Sequence, residues 1–186
     1  MARPQSPRGQ GRRRVIDAAV ELFAEHGVRG TSLQMIAEHL GVTKAAVYYQ
    51  FHAKEDIVLA VLEEALEDMT AFVSAAEAEP SPDAAATAAL RGLVDLMVGH
   101  RKAVAALMRD PEVERVMAAH ADLESLVGRL TALLLGPSPT LRRRIAVSVV
   151  GAGVAQAGID PMLADVDDET LRAQLLELGP TMLARG

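Results

Sequence analysis

Apolar residues recur every three or four positions along nearly the whole chain, which is the spacing of a helix that buries one face. In the first predicted helix the repeating apolar set is Val15, Ile16, Ala19, Leu22 and Phe23. We find no convincing segment that alternates apolar and polar residues as a half-buried strand does. The pattern therefore predicts an all-α protein of about nine or ten helices.

Glycine, proline and small capping residues mark where these helices begin and end. Gly27 and Gly41 fit positions that follow a helix C-terminus, either Thr31 or Ser32 can cap the second helix, and Thr43 can cap the third. The predicted helices are 12–27, 33–41, 44–51, 54–78, 82–99, 102–109, 111–135 (with a break near His120), 139–158 and 168–183.

Charge is distributed unevenly along the chain, whose net charge is −6. Residues 1–56 contain eight Lys or Arg against six Asp or Glu, whereas residues 57–186 contain eleven against nineteen. A basic head on an acidic body suits a protein whose N-terminal part faces phosphates. The sequence predicts a disordered basic arm at 1–11, a head at 12–56 and a body at 57–186.

The residues show no pattern of metal, disulfide or catalytic chemistry. There is no cysteine, and no two of the five histidines lie three or four positions apart. The sequence has no glycine-rich phosphate loop, no Gly-x-Ser-x-Gly elbow and no His–carboxylate spacing typical of a catalytic helix. We therefore expect no enzyme activity, no metal and no cofactor.

Membrane insertion and export are not indicated either. The basic N-terminus is not followed by the apolar core of a signal peptide. The most apolar stretch, residues 145–159, is shorter than the ~20 residues that a membrane-spanning helix needs. We expect a cytoplasmic protein without a membrane partner.

Residues 31–54, which read TSLQMIAEHLGVTKAAVYYQFHAK, have the spacing of a helix-turn-helix. With Leu33 as the first position, the small Ala37 is fifth and Gly41 is ninth. Two crossing helices need a small side chain at the fifth position, and the tight turn needs a positive φ at the ninth. The eighteenth position is usually aliphatic but is Gln50 here, so we expect the adjacent Phe51 to point inward. The rest of the small core would come from Ile36, Leu40, Val42 and Val47.

A helical wheel of the third helix places Val47 and Phe51 inward and an uncharged set outward. The outward residues are Ala45, Ala46, Tyr49 and Gln50, flanked by Lys44 and Tyr48. Alanines permit close approach to the floor of a DNA groove, and glutamine can pair with adenine. Lys44, Tyr48 and Lys54 are placed for phosphate contacts, which fix register without reading sequence. In a purely structural helix-turn-helix, the two tyrosines would be ordinary packing residues.

The run IAEHLGVTKAAVYYQFHAKEDIV resembles the signature of the TetR family of transcriptional regulators. In that signature an Ile-Ala…Leu-Gly-Val-Ser/Thr stretch leads to Tyr-Tyr-His-Phe and then to Lys-Glu. The chain departs from it at Gln50, where the family more often has His, and at Ala53, where Ser or Asn is commoner. The resemblance covers about residues 12–58. The matching positions are Ile36, Ala37, Leu40, Gly41, Val42, Thr43, Tyr48, Tyr49, Phe51, Lys54 and Glu55.

The resemblance implies an N-terminal helix-turn-helix head of three helices that binds double-stranded DNA, followed by a helical domain for ligand binding and dimerisation. It also implies a homodimer on a palindromic operator, usually a repressor that a small effector releases. An activator, or a ligand sensor that acts through a protein partner, remains an alternative. The candidate DNA-binding residues are Arg13, Thr31, Ser32, Gln34, Thr43, Lys44, Ala45, Ala46, Tyr48, Tyr49, Gln50 and Lys54.

Two of these assignments have competing interpretations. Arg13 belongs to the run Arg12–Arg14, which either contacts the duplex backbone or is a solvated basic arm. Gln34 lies near the start of the second helix, at a position that contacts DNA in the family.

Within the family, the last two long helices of each subunit form a four-helix bundle between subunits. Carried over to this chain, those helices are about 139–158 and 168–183. The expected dimer residues are Val147, Val150, Gly151, Val154, Leu171, Leu175 and Leu178.

The resemblance places a small apolar effector in the larger domain. Met69, Met97, Met108 and Met117 have helical core spacing, so they are either plain core or the lining of a pocket for an apolar ligand. Asp95, His100 and Gln156 either orient such a ligand or are ordinary polar residues with partners of their own.

Overall fold

The computed structural model describes residues 8–107 and 121–184. Met108, Met117 and the break expected near His120 lie outside these residues. Within them the chain consists of helices joined by short turns and has no strand, so the all-α prediction is confirmed. The helices are α1 (Arg8–Gly30), α2 (Leu33–Leu40), α3 (Lys44–Tyr48), α4 (Lys54–Glu77), α5 (Pro82–Gly99), α6 (Arg101–Leu107), α7 (Ala121–Leu135), α8 (Leu141–Ala157), a 3-10 turn (Pro161–Leu163) and α9 (Asp168–Ala184).

The first helix begins earlier than the sequence predicts. It starts at Arg8, so the prediction of a disordered arm is wrong for residues 8–11. Arg8 and Gln10 are favourable helix residues but Gly9 and Gly11 are unfavourable ones, so the sequence pattern alone did not extend the helix this far. Gly27, with φ 71° and ψ 163°, interrupts the helix where its end is predicted, and a further turn continues to Gly30.

The first compact unit contains, among the described residues, α1 to α3, the part of α4 up to Glu64 and residues 102–107. The apolar stripe of α1 packs against α2, and α2 packs against α3. The most deeply buried apolar residues come from all four helices, namely Ala19, Phe23, Ile36, Ala37, Val47 and Ile57. This small core fixes α2 and α3 relative to α1.

The second compact unit contains, among the described residues, 65–101 and 121–184. The unit boundary thus falls inside α4, between Glu64 and Ala65, rather than at residues 56/57, because the first turns of α4 carry part of the N-terminal core. In the second unit α5 packs against α7, α8 and α9. Its core consists of Met69, Val73, Ala76, Ala89, Leu90, Val94, Val98, Leu126, Leu130, Leu134, Val147, Val150, Val154, Leu171 and Leu183.

Four residues that we expected at a subunit interface lie inside this core. Val147, Val150 and Val154 of α8 and Leu171 of α9 are all less than a tenth exposed. The expectation is wrong for these four, because α8 is apolar on two faces and the pattern alone does not show which face the subunit itself covers. Gly151 and Leu175 are half-buried, and only Leu178 is fully at the surface.

Two further observations concern the described residues alone. None of their helices is both long enough and apolar enough to cross a membrane. No three or more of their His, Asp or Glu side chains are grouped so that they could hold a metal ion.

Candidate nucleic-acid interface

Local hydrogen bonds define the turn between α2 and α3. Ser32 caps α2, because its Oγ accepts a hydrogen bond from the backbone N of Met35 at 3.2 Å. Gly41 ends the helix in the left-handed conformation, with φ 65° and ψ 33°, which a side chain would strain. Ala37 is completely buried where the two helices approach. Gly41 at the turn and Ala37 at the helix crossing therefore have the roles that the spacing predicts.

The third helix begins at Thr43, whose Oγ1 accepts a hydrogen bond from the backbone N of Ala46 at 3.2 Å. Its regular part ends at Tyr48, earlier than predicted, and continues as a turn through Gln50. Val47 and Phe51 face the core as expected. The opposite side, formed by Lys44, Ala45, Ala46, Tyr48 and Tyr49, is exposed.

The two tyrosines of this surface differ in exposure and in ring contacts. Tyr49 is 76% exposed, whereas Tyr48 is 51% exposed and its ring packs edge-on against His52, with 5.0 Å between ring centroids. Both rings are therefore accessible from outside the subunit, next to the exposed Ala45 and Ala46.

Gln50 lies at the edge of this surface and is half-buried. Its amide Nε2 is 3.5 Å from the position that a Cβ would take at Gly11, so the side chain lies beside the start of α1. In the same region the guanidinium of Arg12 stacks over Phe51, 4.9 Å from the ring centroid. The first turns of α1 therefore border the end of α3, which the sequence pattern does not indicate.

Thr31 does not belong to the surface. Its side chain is 3% exposed, and its hydroxyl donates toward the carbonyl oxygens of Leu22 and Gly27 at 3.2 and 2.9 Å. The expectation that it contacts DNA is wrong, because its hydroxyl satisfies carbonyls left open where α1 is interrupted.

Two expected phosphate-binding cations have partners within the subunit. The guanidinium of Arg13 bonds the carboxylates of Asp17 at 3.1 Å and Glu64 at 2.9 Å. The Nζ of Lys54 donates to the carbonyl oxygen of Val28 at 2.7 Å. Lys44, in contrast, is exposed at the start of α3.

Ser32 and Gln34 lie at the surface near the start of α2. The Gln34 amide donates to the carboxylate of Glu38 one turn later, at 2.7 Å. Both polar side chains can therefore be reached by a partner, although each already makes a contact within its own helix.

Sequence reasoning missed the function of Asp56. Its Oδ2 accepts hydrogen bonds from the backbone N of His52 at 3.1 Å and of Ala53 at 3.0 Å, and so caps the start of α4. An acidic residue in the first turn of a predicted helix is the available signal for such a cap.

The residues expected to bind a ligand are dispersed in the second unit. Met69 is buried in its core and Met97 packs against that core. Asp95 is exposed and pairs with Arg172 at 2.7 Å, and Gln156 is exposed. Both residues thus occupy outward positions of their helices, and the pairing of Asp95 agrees with the alternative that it is an ordinary polar residue with a partner of its own.

His100 is the expected ligand residue with the most specific contact. It lies at the end of α5, half-buried, and its Nε2 is 2.8 Å from the carboxylate of Asp68 on α4. Next to it, Arg101 bonds the carbonyl of Val166 and the carboxylate of Asp168, both at 2.7 Å. The contact with Asp68 gives His100 a partner within the subunit. This agrees with the second interpretation of the sequence, in which His100 is an ordinary polar residue.

A shallow cleft of about 410 Å³ lies elsewhere in the second unit. The cleft is open to solvent and contains the ion pair between Glu77 and Arg129. Its lining is Glu77, Pro82, Ala85, Arg129, Ala132, Leu133, Gly136 and Pro137, and it includes none of the expected ligand residues that the structure describes.

The last two long helices expose a continuous apolar set, which we call the α8/α9 face. Its members recur at intervals of four, so each helix carries a stripe on one side. All five are between 45% and 70% exposed, although α8 and α9 pack against each other on their inner sides. The α8/α9 face consists of Leu141, Ile145 and Val149 on α8 and Leu178 and Met182 on α9.

Comparison with known proteins places the N-terminal residues in a family. Residues 15–61 match the model of the bacterial regulatory proteins of the tetR family. The chain is 47% identical over 51 residues to the HTH-type transcriptional regulator SrpR of Pseudomonas putida, a match that covers 27% of this chain and 24% of SrpR. It is 38% identical over 72 residues to the HTH-type transcriptional regulator TtgR of Pseudomonas putida, covering 39% of this chain and 34% of TtgR. The matches thus span a quarter to a third of these relatives.

The fold is shared over nearly the whole chain. The structure of PfmR, a TetR family transcriptional regulator from Thermus thermophilus, superposes with a TM-score of 0.67. That match covers 97% of both chains at 20% sequence identity, so it is a likeness of fold. Residues 15–61 are thus similar in sequence to the tetR family of bacterial regulatory proteins, and the chain shares the fold of a TetR family transcriptional regulator.

Proposed function

We propose that the protein is a sequence-specific transcriptional regulator that binds double-stranded DNA through α3. The exposed, uncharged surface of Ala45, Ala46 and Tyr49 carries this proposal. Such a surface is unfavourable in water but complementary to base edges in a major groove, where small side chains permit close approach.

The side chains around this surface have complementary roles. Lys44 and Tyr48 lie at its margin and bind phosphates, which fix the position of α3 along the duplex. Gln50 reads a base edge from the other end of the helix. The polar residues Ser32, Gln34 and Thr43 contact the DNA backbone near the turn, since their side chains lie at the surface of the same unit.

The α8/α9 face supports the proposal of a homodimer, and a symmetric dimer suits a palindromic operator. Five large apolar side chains exposed on two packed helices favour burial against a second copy of the same surface. In this proposal the central contacts between subunits are made by Ile145 and Val149, and not by the buried valines of α8. In the dimer the two α3 helices enter successive major grooves about one turn, ~34 Å, apart.

The regulator is a repressor that a small apolar effector releases from its operator in the cytoplasm. An effector that binds more tightly to a dimer whose α3 helices are wrongly spaced lowers the affinity of the protein for DNA. By reciprocity, DNA lowers the affinity for the effector by the same factor. Met97 is half-buried against the core of the second unit, and methionine side chains adapt readily to apolar ligands.

Selection of DNA from a random pool of duplexes tests the central claim. The wild-type chain enriches a palindromic sequence, whereas Ala45→Glu, which places a charge on the proposed groove-facing surface, enriches none. Ala71→Glu makes the same change at an exposed position of α4 and serves as the matched control. Circular dichroism verifies that all three proteins are equally helical. Failure of the wild-type chain to enrich any sequence at low salt, or equal enrichment by Ala45→Glu, contradicts the proposal.

A further inference from the structure

The first turn of α4 is hydrogen-bonded to both ends of the helix-turn-helix. On one side, the Nζ of Lys54 donates to the carbonyl oxygens of Val28 at 2.7 Å and Arg29 at 3.3 Å, in the turn before α2. On the other side, the Oδ2 of Asp56 accepts from the backbone N of His52 and Ala53, directly after α3. Lys54 and Asp56, in one turn of α4, therefore bond the backbone just before α2 and just after α3.

The contacts of Lys54 use the full donor capacity of its ammonium group. Lysine has three N–H donors, and a third carbonyl, that of Thr31, lies 3.4 Å from Nζ. Carbonyl oxygens at the end of a helix carry a partial negative charge, so a cation there is favourable. Lys54 is also only partly exposed. An ammonium bound in this way has no donor left for a phosphate oxygen.

The same turn is held from its other side by Thr31, whose hydroxyl donates to Leu22 and Gly27. Because Gly27 interrupts α1, carbonyls next to the interruption lack the partners that a continuous helix provides. The Thr31 hydroxyl is within hydrogen-bond distance of the carbonyls of Leu22 and Gly27, and the Lys54 ammonium bonds those of Val28 and Arg29. The path of the chain into α2 is thereby fixed by two side chains.

We propose that Lys54 is a positioning residue for DNA recognition and not a phosphate contact. It holds the turn before α2 against the first turn of α4, and together with Asp56 it fixes the orientation of α3. The proposal rests on the proposed function, since it concerns how the DNA-reading surface is held in place.

Two consequences distinguish a positioning residue from a phosphate contact. Loss of a phosphate contact weakens binding to all sequences alike and lowers the slope of log K against log salt by about 0.9 per contact. Loss of a positioning contact misplaces α3, which lowers the preference for the correct sequence and leaves the slope unchanged. A merely destabilising change would reduce the active fraction of protein and leave that preference intact.

The experiment compares Lys54→Met with Lys44→Met in the full chain. Both variants remove one ammonium and keep an unbranched side chain, but Lys44 is exposed at the start of α3. The probes are the duplex that the wild-type chain selects from a random pool and a shuffled duplex of the same composition. Affinities are measured from 50 to 200 mM salt, well below the unfolding temperature, and thermal unfolding is recorded without DNA.

For Lys54→Met we expect an unchanged salt slope and a roughly tenfold lower ratio of specific to shuffled affinity, similar to the effect of one mismatched base pair. We also expect an unfolding midpoint about 3–8 °C lower, from the loss of charged hydrogen bonds. For Lys44→Met we expect a lower slope, an unchanged ratio and an unchanged midpoint.

A lower slope with an unchanged midpoint in Lys54→Met overturns the proposal, because that result identifies a phosphate contact. An unchanged ratio overturns it as well, because Lys54 then has only a structural role. If the wild-type chain selects no duplex, the proposed function fails separately. In that case the unfolding comparison, which needs no DNA, still decides whether Lys54 holds the turn.

Discussion

The backbone of Gly92 on α5 lies directly against the side chain of Phe72 on α4. A Cβ placed on Gly92 would overlap the atoms Cβ, Cγ and Cδ2 of that phenylalanine. Gly92 is buried and Phe72 is half-buried, and the overlap includes Cβ of Phe72, which a rotation of the ring does not move away. The two helices therefore approach as closely as they do because position 92 has no side chain.

This contact predicts that Gly92→Ala destabilises the protein, although alanine is the better helix residue by about 1 kcal/mol. Overpacking against Phe72 costs about 1–3 kcal/mol, so the net loss is about 0–2 kcal/mol. Gly128→Ala is the matched control, since Gly128 is an exposed glycine inside α7 with open space around its missing Cβ. It is expected to gain up to about 1 kcal/mol. Urea unfolding measures both, and equal gains in the two variants would disprove the close contact.

The α8/α9 face predicts that a charge at Val149 separates the subunits. An unpaired buried carboxylate costs about 3 kcal/mol or more, so Val149→Glu weakens the dimer at least ~100-fold. Val127→Glu is the control, because Val127 is an equally exposed valine on α7, outside the face. Sedimentation should give the 19.7 kDa of one chain for Val149→Glu and twice that mass for the control. A dimeric Val149→Glu would show that another surface forms the interface.

The two apolar faces of α8 show where sequence reasoning reaches its limit. The sequence pattern identifies one apolar stripe on this helix, Val147, Val150 and Val154, whereas the structure shows a second one at Leu141, Ile145 and Val149. Whether Val150 or Val149 is covered within the subunit depends on how α5 and α9 pack, and the residues of α8 do not show that packing. The pattern alone therefore assigned the inner stripe to the interface, whereas the outer stripe is the one left exposed.

The helix-turn-helix was predictable because its determinants are local. Ser32, Gly41 and Thr43 act on backbone groups within a few residues, and the spacing of Ala37 reflects a single helix crossing. The roles of Thr31 and Lys54 were not predictable in this way. The carbonyl that Lys54 binds most closely is 26 positions away, and residue type alone does not distinguish an ammonium that binds a helix end from one that binds phosphate.

Low pH should weaken the ion pair between Glu77 on α4 and Arg129 on α7. Arg129 donates to Glu77 through Nε at 2.8 Å and through Nη2 at 2.6 Å. These hydrogen bonds, aided by the positive charge, hold the pKa of Glu77 below its ordinary value of about 4.5. Because the pKa is lower in the folded state, the ionised carboxylate stabilises the protein above that value, and the stabilisation is lost as the pH falls through the folded-state pKa.

The expected result is that wild type unfolds at a higher temperature than Glu77→Gln at pH 7 and that this difference narrows below about pH 4.5. The difference is small, because the pair is exposed to solvent. Glu67→Gln, the same change on an exposed glutamate of α4, is the control for general charge effects. A difference that stays constant from pH 7 to pH 3 would mean that the ion pair does not contribute.

Gln50 and Tyr48 should affect DNA binding in different ways. In the proposed function Gln50 reads a base, so Gln50→Ala is expected to change the preferred base at one position of each half-site, a discrimination of about 1–3 kcal/mol. Tyr48 is proposed to contact a phosphate, so Tyr48→Phe should weaken all sequences about equally. Selection from a random pool followed by sequencing measures both. If the profile selected by Gln50→Ala is the same as that of wild type, the amide that lies beside Gly11 only packs against α1, and the base-reading role passes to Ala45, Ala46 and Tyr49.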